Sequence, residues 1–506
     1  MVINRKKNAS RNIVWGIFEK IAKILFPFIT RTVLIKTLGA EYLGLNSLFT
    51  SVLQVLSISE LGVGTAIVFS MYEPIAHDNE KKVCALLNLY RKIYYIIGLI
   101  ILIVGLLVTP FLHYMIKDDY TITINIYLLF LIYLFDTVIG YFLYSYKISL
   151  FMAYQRNDII SKVSSLLALL CNTFQVLMLI CFRNYYIFVL VIPIITILQN
   201  IIQAYLAKKH FPTIVCKGDI SLDEKKELKK RIVGLLSFKI YGVIFDAVDA
   251  VVVSTFLGLT TLAIYNNYYY IQKAIISFLL VITSSITAGI GNKMVTNNCR
   301  DNYKDLINFS FVNGWICSWC AICLLCLYQT FMKIWMGEKL MFQFSTVLLI
   351  VIYFLIPRLT NLTYTYREAA GLWWQDRFRP LVSSIVNICA NLILVKFIGI
   401  NGVIISTILC TVFINVPWGT YILFKYYFKC SSKEYMMKIV FYILNTIWVG
   451  GLTLFVCSLI RLSDQLLEFV IKVGICCIIP NVLFWIVYRT TKEYINMKRF
   501  LSTIKK

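Results

Sequence analysis

Charge is what this 506-residue chain has least of. Asp, Glu, Lys and Arg make up 15% of it, against 59% hydrophobic residues and a mean hydropathy of +0.77. A soluble protein of any number of domains needs more charge than that, so the composition points to an all-α integral membrane protein. Histidine is nearly absent: His77, His113 and His210 lie far apart, in or beside expected loops, and no metal site is expected from them. There is no P-loop, so no nucleotide-driven cycle is expected. Acids are scarcer than bases, 25 against 49, for a net charge of +24. A nucleic-acid binder would gather those cations on one soluble face, whereas here they fall between apolar segments, so no nucleic-acid partner is expected. No cleavable signal is expected either, because the first apolar stretch carries Lys20, Lys23 and Arg31 and lacks a small-residue cleavage site.

Cysteine, by contrast, is plentiful. Most of the 15 lie within apolar segments, among them Cys171, Cys181, Cys389, Cys410, Cys476 and Cys477, and read as small apolar fillers. Cys317 and Cys320 form a C-x-x-C inside a helix-length apolar run without a βαβ context, which argues against a redox role. Taking about 20 apolar residues per span, about fourteen helices are expected. Their limits are 12–37, 44–72, 93–112, 122–146, 161–182, 185–207, 232–257, 262–290, 306–331, 342–366, 381–398, 402–424, 437–460 and 466–488.

The second half repeats the first at a constant offset of 219 residues, the step from Ile13 to Ile232. Lys20, Gly39 and Asn172 meet Lys239, Gly258 and Asn391 in one ungapped register. The expected organisation is an N-lobe at 1–207 with helices one to six, a basic cytoplasmic linker at 208–231, a C-lobe at 232–428 with helices seven to twelve, and a remainder at 429–506. That remainder holds two extra helices and a basic tail. An even number of helices per repeat relates the two lobes by a pseudo-twofold axis along the membrane normal. The linker reads as a cytoplasmic segment with an amphipathic surface helix at Leu222–Leu228. Most of the cations fall on the side of the N-terminus, giving an N-in, C-in orientation. The outer loops are short, too short for an extracytoplasmic catalytic domain.

Charges within a span are costly, about 2.5–3.5 kcal/mol at the bilayer centre, so they face a cavity or a partner. Steps of 100° put Lys20, Lys23 and Arg31 within roughly an 80° arc that also holds Pro27. This cationic stripe on a kinkable helix suits an anion crossing the membrane; the competing reading is snorkelling to headgroups. In the equivalent helix of the second lobe, Lys239, Asp246 and Asp249 share a face. Asp246 and Asp249 either bind a proton or sodium ion or neutralise Arg31. Glu60 and Asp136 are deep enough to need partners and join them as candidates for ion coupling or charge balance. Lys273 reads as an outer-half lysine that snorkels. Arg358 and Arg367 are candidates for contacts at the cytoplasmic mouth. Tyr265, Tyr268, Tyr269 and Tyr270 read as interface-belt residues, with sugar stacking as the sharper alternative.

Several stretches carry a resemblance. They are Arg11-Asn12-Ile13, Leu38-Gly39-Ala40-Glu41-Tyr42-Leu43-Gly44-Leu45, Glu60-Leu61-Gly62-Val63-Gly64, and Tyr366-Arg367-Glu368-Ala369-Ala370-Gly371 leading into Asp376-Arg377-Phe378-Arg379-Pro380. Together they resemble the polysaccharide flippases of the multidrug/oligosaccharidyl-lipid/polysaccharide exporter superfamily. The resemblance implies twelve core helices in two bundles around a central cavity, plus two peripheral helices. It implies a bacterial cytoplasmic (inner) membrane protein that is not an enzyme and takes no cofactor beyond a coupling ion, H+ or Na+. The implied substrate is an undecaprenyl-diphosphate-linked oligosaccharide, moved to the outer leaflet by alternating access. The implied partners are the lipid bilayer and the polysaccharide polymerase and glycosyltransferases of the same pathway. Placing the diphosphate on Lys20, Lys23 and Arg31 is an inference from their shared face, since cationic positions vary within the family. Two other classes stay open: an ion-coupled drug or organic-cation exporter of the same superfamily, which would favour an acidic cavity, and a membrane-embedded polysaccharide polymerase.

Overall fold

The computed structural model describes residues 5–60, 62–117, 124–296 and 298–504. The side chains of 5–10, 59, 230–231, 233–241, 244–246, 281–292, 295–296 and 500–504 lie outside the description. The described residues are helical with short connections and no strands. In hydrocarbon a helix satisfies its backbone polar groups internally, which is why so apolar a chain takes this form. The chain packs as two units, Met1–Ala263 and Ile264–Lys506.

In the first unit, α1 (Arg5–Thr37) packs along α7 (Asn157–Phe182), and α2 (Ala40–Leu56) is followed by α3 (Val63–Ala76). α4 (Glu80–Val108) pairs with α5 (Ile126–Phe142), which turns through 51° into a short segment containing α6 (Ile148–Ala153). α8 (Tyr185–His210) closes against α5 and α7, and α9 (Leu222–Leu257) packs on α2 and α3. The helix that opens the second sequence repeat therefore packs with the first unit. α10 (Leu259–Thr296) begins in this unit and runs into the next.

The second unit is built on α11 (Cys299–Met336). α12 (Phe344–Leu359) and α13 (Asn361–Ala369) pack on it, α14 (Phe378–Ile398) pairs with α15 (Ile400–Cys410), α15 packs on α12, and α16 (Val416–Leu423) packs on α13. α17 (Lys433–Ser458), α18 (Gln465–Tyr488) and α19 (Lys492–Ile504) also pack on α11. Their seam is aromatic: Phe311 and Trp315 of α11 meet Tyr442, Phe484 and Tyr488. The Trp315 indole donates to the Asn481 side chain at 2.9 Å.

Gly39 and Gly258, 219 residues apart, share one backbone geometry. Gly39 ends the first helix at φ 108°, ψ 168°, and Gly258 ends its counterpart at φ 89°, ψ 170°. Only glycine adopts that conformation without strain, so two glycines at the repeat offset make the same turn between helices.

Helices lie on each segment expected to span, yet among the described residues only nine are long and apolar enough to cross a membrane by length and composition, or ten if the bent pair around Tyr144 counts as one. The shortfall has physical causes. α1 carries Glu19, Lys20, Lys23, Arg31 and Lys36. The expected span 44–72 is broken by a 3-10 turn at Ser57–Glu60 and by Gly62 at φ 98°. The expected span 342–366 is among the nine, although its helix is interrupted at Thr360, three residues after Pro357. The span 402–424 is also among the nine, with wide π turns at Thr411–Asn415 and Phe424–Phe428. The surface helix expected at Leu222–Leu228 is not separate: it forms the first turns of α9, started by a capping box at Ser221 and Glu224.

Candidate functional site: a buried carboxylate in an aromatic cavity

Glu60 closes the 3-10 turn that interrupts α2 and α3, and the interruption aims its side chain across the bundle. The Tyr94 hydroxyl donates to one carboxylate oxygen at 2.6 Å and the Tyr141 hydroxyl to the other at 2.6 Å. Tyr90 donates to the Tyr94 oxygen at 2.8 Å, its ring 4.4 Å from that of Tyr94. Hydrogen bonds accepted at both oxygens replace the water that a half-buried carboxylate has lost. The two glycines that follow are explained by this geometry. Gly62 supplies the positive φ of the break, and a Cβ at Gly64 would come within 2.6 Å of the Tyr90 hydroxyl.

A cavity of about 740 Å³ opens beside this cluster, lined among others by Glu60, Tyr72, Tyr90, Tyr94, Ser145 and Asn157. Its wall combines one carboxylate, hydroxyls and ring faces, a surface suited to sugar rings or to organic cations. Sequence reasoning found Glu60 as a deep charge and missed its tyrosines. The four-residue step from Tyr90 to Tyr94 and a Gly-x-Gly starting two residues after a membrane-level glutamate were the available signals.

Asp136 lies elsewhere on α5. Its carboxyl meets the Thr196 hydroxyl, while its Oδ1 is buried with no hydrogen-bond partner among the described residues. One turn away, Tyr133 donates to Asn46 at 3.0 Å and meets the Tyr185 hydroxyl at 3.1 Å, tying α2, α5 and α8 together. Asp249 is fully buried on α9 and has an interaction partner. The side chains of Asp246 and Lys239 lie outside the described residues.

On α1 the exposed apolar residues Ile13, Ile17, Ile21, Leu25 and Ile29 recur every four residues and form one stripe. The stripe winds through about 160° from Ile13 to Ile29, and at its own level Lys20 lies about 100° from Ile21, Lys23 about 160° from Ile21 and Arg31 about 160° from Ile29. Lys20 and Lys23 are exposed and Arg31 is half-buried with an interaction partner. Lys23 pairs with Glu19 at 2.6 Å, an acid that the reading of the stripe left out. The cations thus occupy a side of α1 separate from the side whose chemistry suits lipid.

In the second unit, the Arg367 side chain is buried, donating to Asp376 at 2.8 Å. Asp376 also accepts two hydrogen bonds from Arg379, at 2.7 and 2.8 Å, and Arg379 donates to Asn415 at 2.8 Å. The π turn at Thr411–Asn415 carries Asn415, which donates in turn to Ser383 at 2.8 Å. The loop between α13 and α14 is thereby pinned by one acid between two guanidinium groups. Arg358 is half-buried, and its carbonyl accepts from Asn313 at 2.8 Å. Tyr265 and Tyr268 are buried, and Tyr268 donates to Gln329 at 3.1 Å, so these two pack the bundle instead of belting it. Lys273 sits over the Tyr269 ring at 4.8 Å.

A family model described as polysaccharide biosynthesis protein matches residues 9–287, more than half of the chain. The chain belongs to that family. The match takes in the whole Glu60 cavity and both turns at Gly39 and Gly258. No curated protein matches the sequence. Among solved structures, the lipid II flippase MurJ in an inward closed conformation is similar at TM-score 0.62 and 16% identity, covering 94% of this chain and 98% of that one. An inward-facing multidrug resistance MATE family transporter of the MOP superfamily aligns at TM-score 0.62 and 13% identity, covering 81% and 97%. A MOP superfamily transporter from Pyrococcus furiosus, described by the reverse polarity of its binding pocket, aligns at TM-score 0.53 and 13% identity, covering 84% and 97%. At these identities the likeness concerns the fold, which is that of the MOP transporters. This member of the polysaccharide biosynthesis family is a multi-pass helical membrane protein.

Proposed function

We propose that the chain is a flippase that carries an undecaprenyl-diphosphate-linked oligosaccharide from the cytoplasmic to the outer leaflet by alternating access. The observation that carries the reading is the cationic side of α1, held apart from its apolar side, in a member of a polysaccharide biosynthesis family. A diphosphate leaving the headgroup region needs compensating charge, and Lys20, Lys23 and Arg31 supply it along one face. The chain is a carrier, not an enzyme, resides in the bacterial inner membrane N-in and C-in, and works beside the polymerase and glycosyltransferases that use and make its cargo.

Glu60 is the group that couples an ion to the cycle, with Asp136, Asp246 and Asp249 as further carboxylates in ion coupling or charge balance. A proton on Glu60 gives one oxygen a hydrogen to donate, so the tyrosine facing it, Tyr94 or Tyr141, turns away or becomes the acceptor. Those tyrosines sit on α4 and α5, and the break at Gly62 lets α3 move relative to them. The same cavity supports a second reading: a carboxylate among tyrosine rings also suits an organic cation, the cargo of an exporter. Removal of the gene separates the two. The flippase reading expects a diphosphate-linked repeat unit retained on the cytoplasmic leaflet. Normal glycolipid together with increased sensitivity to cationic drugs supports the exporter instead.

A further inference from the structure

Cys326 of α11, Cys457 of α17 and Cys476 of α18 place their sulfurs within 4.8 Å of one another, all three side chains buried. These residues are remote in sequence, and two of them stand on the helices outside the twelve-helix repeat. Apolar filling explains a single buried cysteine. It gives no reason for three thiols, weak hydrogen-bonding groups, to converge from three helices.

We propose that this triad is a three-sulfur binding site for a soft monovalent metal ion, Cu(I). The donor set is all sulfur and numbers three, which suits a soft ion; a structural zinc site would call for four ligands. Three sulfurs each about 2.3 Å from one ion lie roughly 4 Å apart, so the 4.8 Å span needs only a small contraction. One cation, itself paired with an acid, stands on the same helices. Lys472 lies one turn before Cys476 on α18 and donates to Thr330, one turn after Cys326 on α11, at 3.2 Å. It is also bonded to Glu468 at 2.5 Å. An ammonium therefore stands on the same two helices as the thiolates that metal binding creates, whose protons leave to solvent. Occupancy would clamp α17 and α18 onto α11, independently of the cargo carried elsewhere in the molecule.

Cu(I) titration of the purified full-length protein against a competing chelator, with X-ray absorption at the copper edge, tests the site. The expected result is one tightly held ion per chain in an all-sulfur, three-coordinate environment. Cys457→Ser and Cys476→Ser each abolish it, and Cys323→Ser, one turn from Cys326 and outside the triad, retains it. Thermal unfolding of the metal-free variants reports whether they fold. Binding that survives in Cys457→Ser, is lost equally in Cys323→Ser, or shows nitrogen or oxygen ligands overturns the proposal.

Discussion

Replacing Glu60 with Gln changes little in shape and much in hydrogen-bond polarity. The carboxylate accepts from Tyr94 and Tyr141, each at 2.6 Å. An amide keeps one acceptor and presents an NH2 to the other hydroxyl, so one tyrosine must turn away or reverse its role. A hydrogen bond to a charged group contributes about 1.5–3 kcal/mol, and Glu60→Gln is expected to cost that much stability. Tyr141→Phe removes the same bond from the other side at a similar cost. The double variant is expected to be less destabilised than the two losses summed, by about 1–3 kcal/mol of coupling. The assay is unfolding of the four purified proteins in one detergent at one pH. Losses that simply add would refute the hydrogen bond and with it the switch that a proton on Glu60 is proposed to work. A matching loss of transport, with the pH dependence of transport flattened in Glu60→Gln, ties the cluster to the cycle.

Asp376→Asn leaves two buried guanidinium groups with a neutral partner, and removing one member of a buried ion pair costs about 3–5 kcal/mol; the expected result is a sharp fall in thermal stability and membrane abundance. Gly419→Ala, whose Cβ would collide with the Arg367 guanidinium, gives a milder form of the same defect in the same assay. Glu224, at the start of α9, is held at a pKa of about 2 by Lys82, at 2.7 Å, and by the Ser221 backbone and hydroxyl. Its stabilisation of the α9 docking is present above the ordinary value of 4.5 and is lost as pH falls from there toward 2, which hydrogen exchange at the start of α9 reads. Cysteine labelling is expected to reach the loop at Lys217 from the cytoplasm and positions near Lys117 and Glu338 from outside; the reverse pattern contradicts the N-in, C-in orientation.

Some of this was legible in the sequence because it depends on single residues with few options. The hydropathy runs gave helices, and Gly39 and Gly258 marked equivalent turns, because no other residue sits at that φ without strain. Glu60 stood out because a charge at membrane depth is expensive wherever it lies. What the sequence did not show depends on residues brought together from distant segments. Tyr94 and Tyr141 are ordinary aromatic residues until α4 and α5 pair. Nothing in the string reveals that Asp376 folds back onto Arg367. The break between α2 and α3 was hidden because the segments on both sides are apolar, and the positive φ of Gly62, which precedes α3, leaves no mark in hydropathy. Cys476 was set aside as a filler, and its two neighbours in space lie on helices that no spacing rule connects.

The central claim is that the cations of α1 carry a diphosphate-linked oligosaccharide across the membrane. Its most direct test is a leaflet assay in proteoliposomes loaded with an undecaprenyl-diphosphate oligosaccharide, read by the fraction of sugar open to a membrane-impermeant oxidant over time. The account predicts that the intact protein speeds exposure of the protected pool. A folded variant with Lys20, Lys23 and Arg31 all replaced by Ala should fall to the rate of protein-free vesicles. Equal rates with and without the intact protein, or full activity in the triple variant, contradict it.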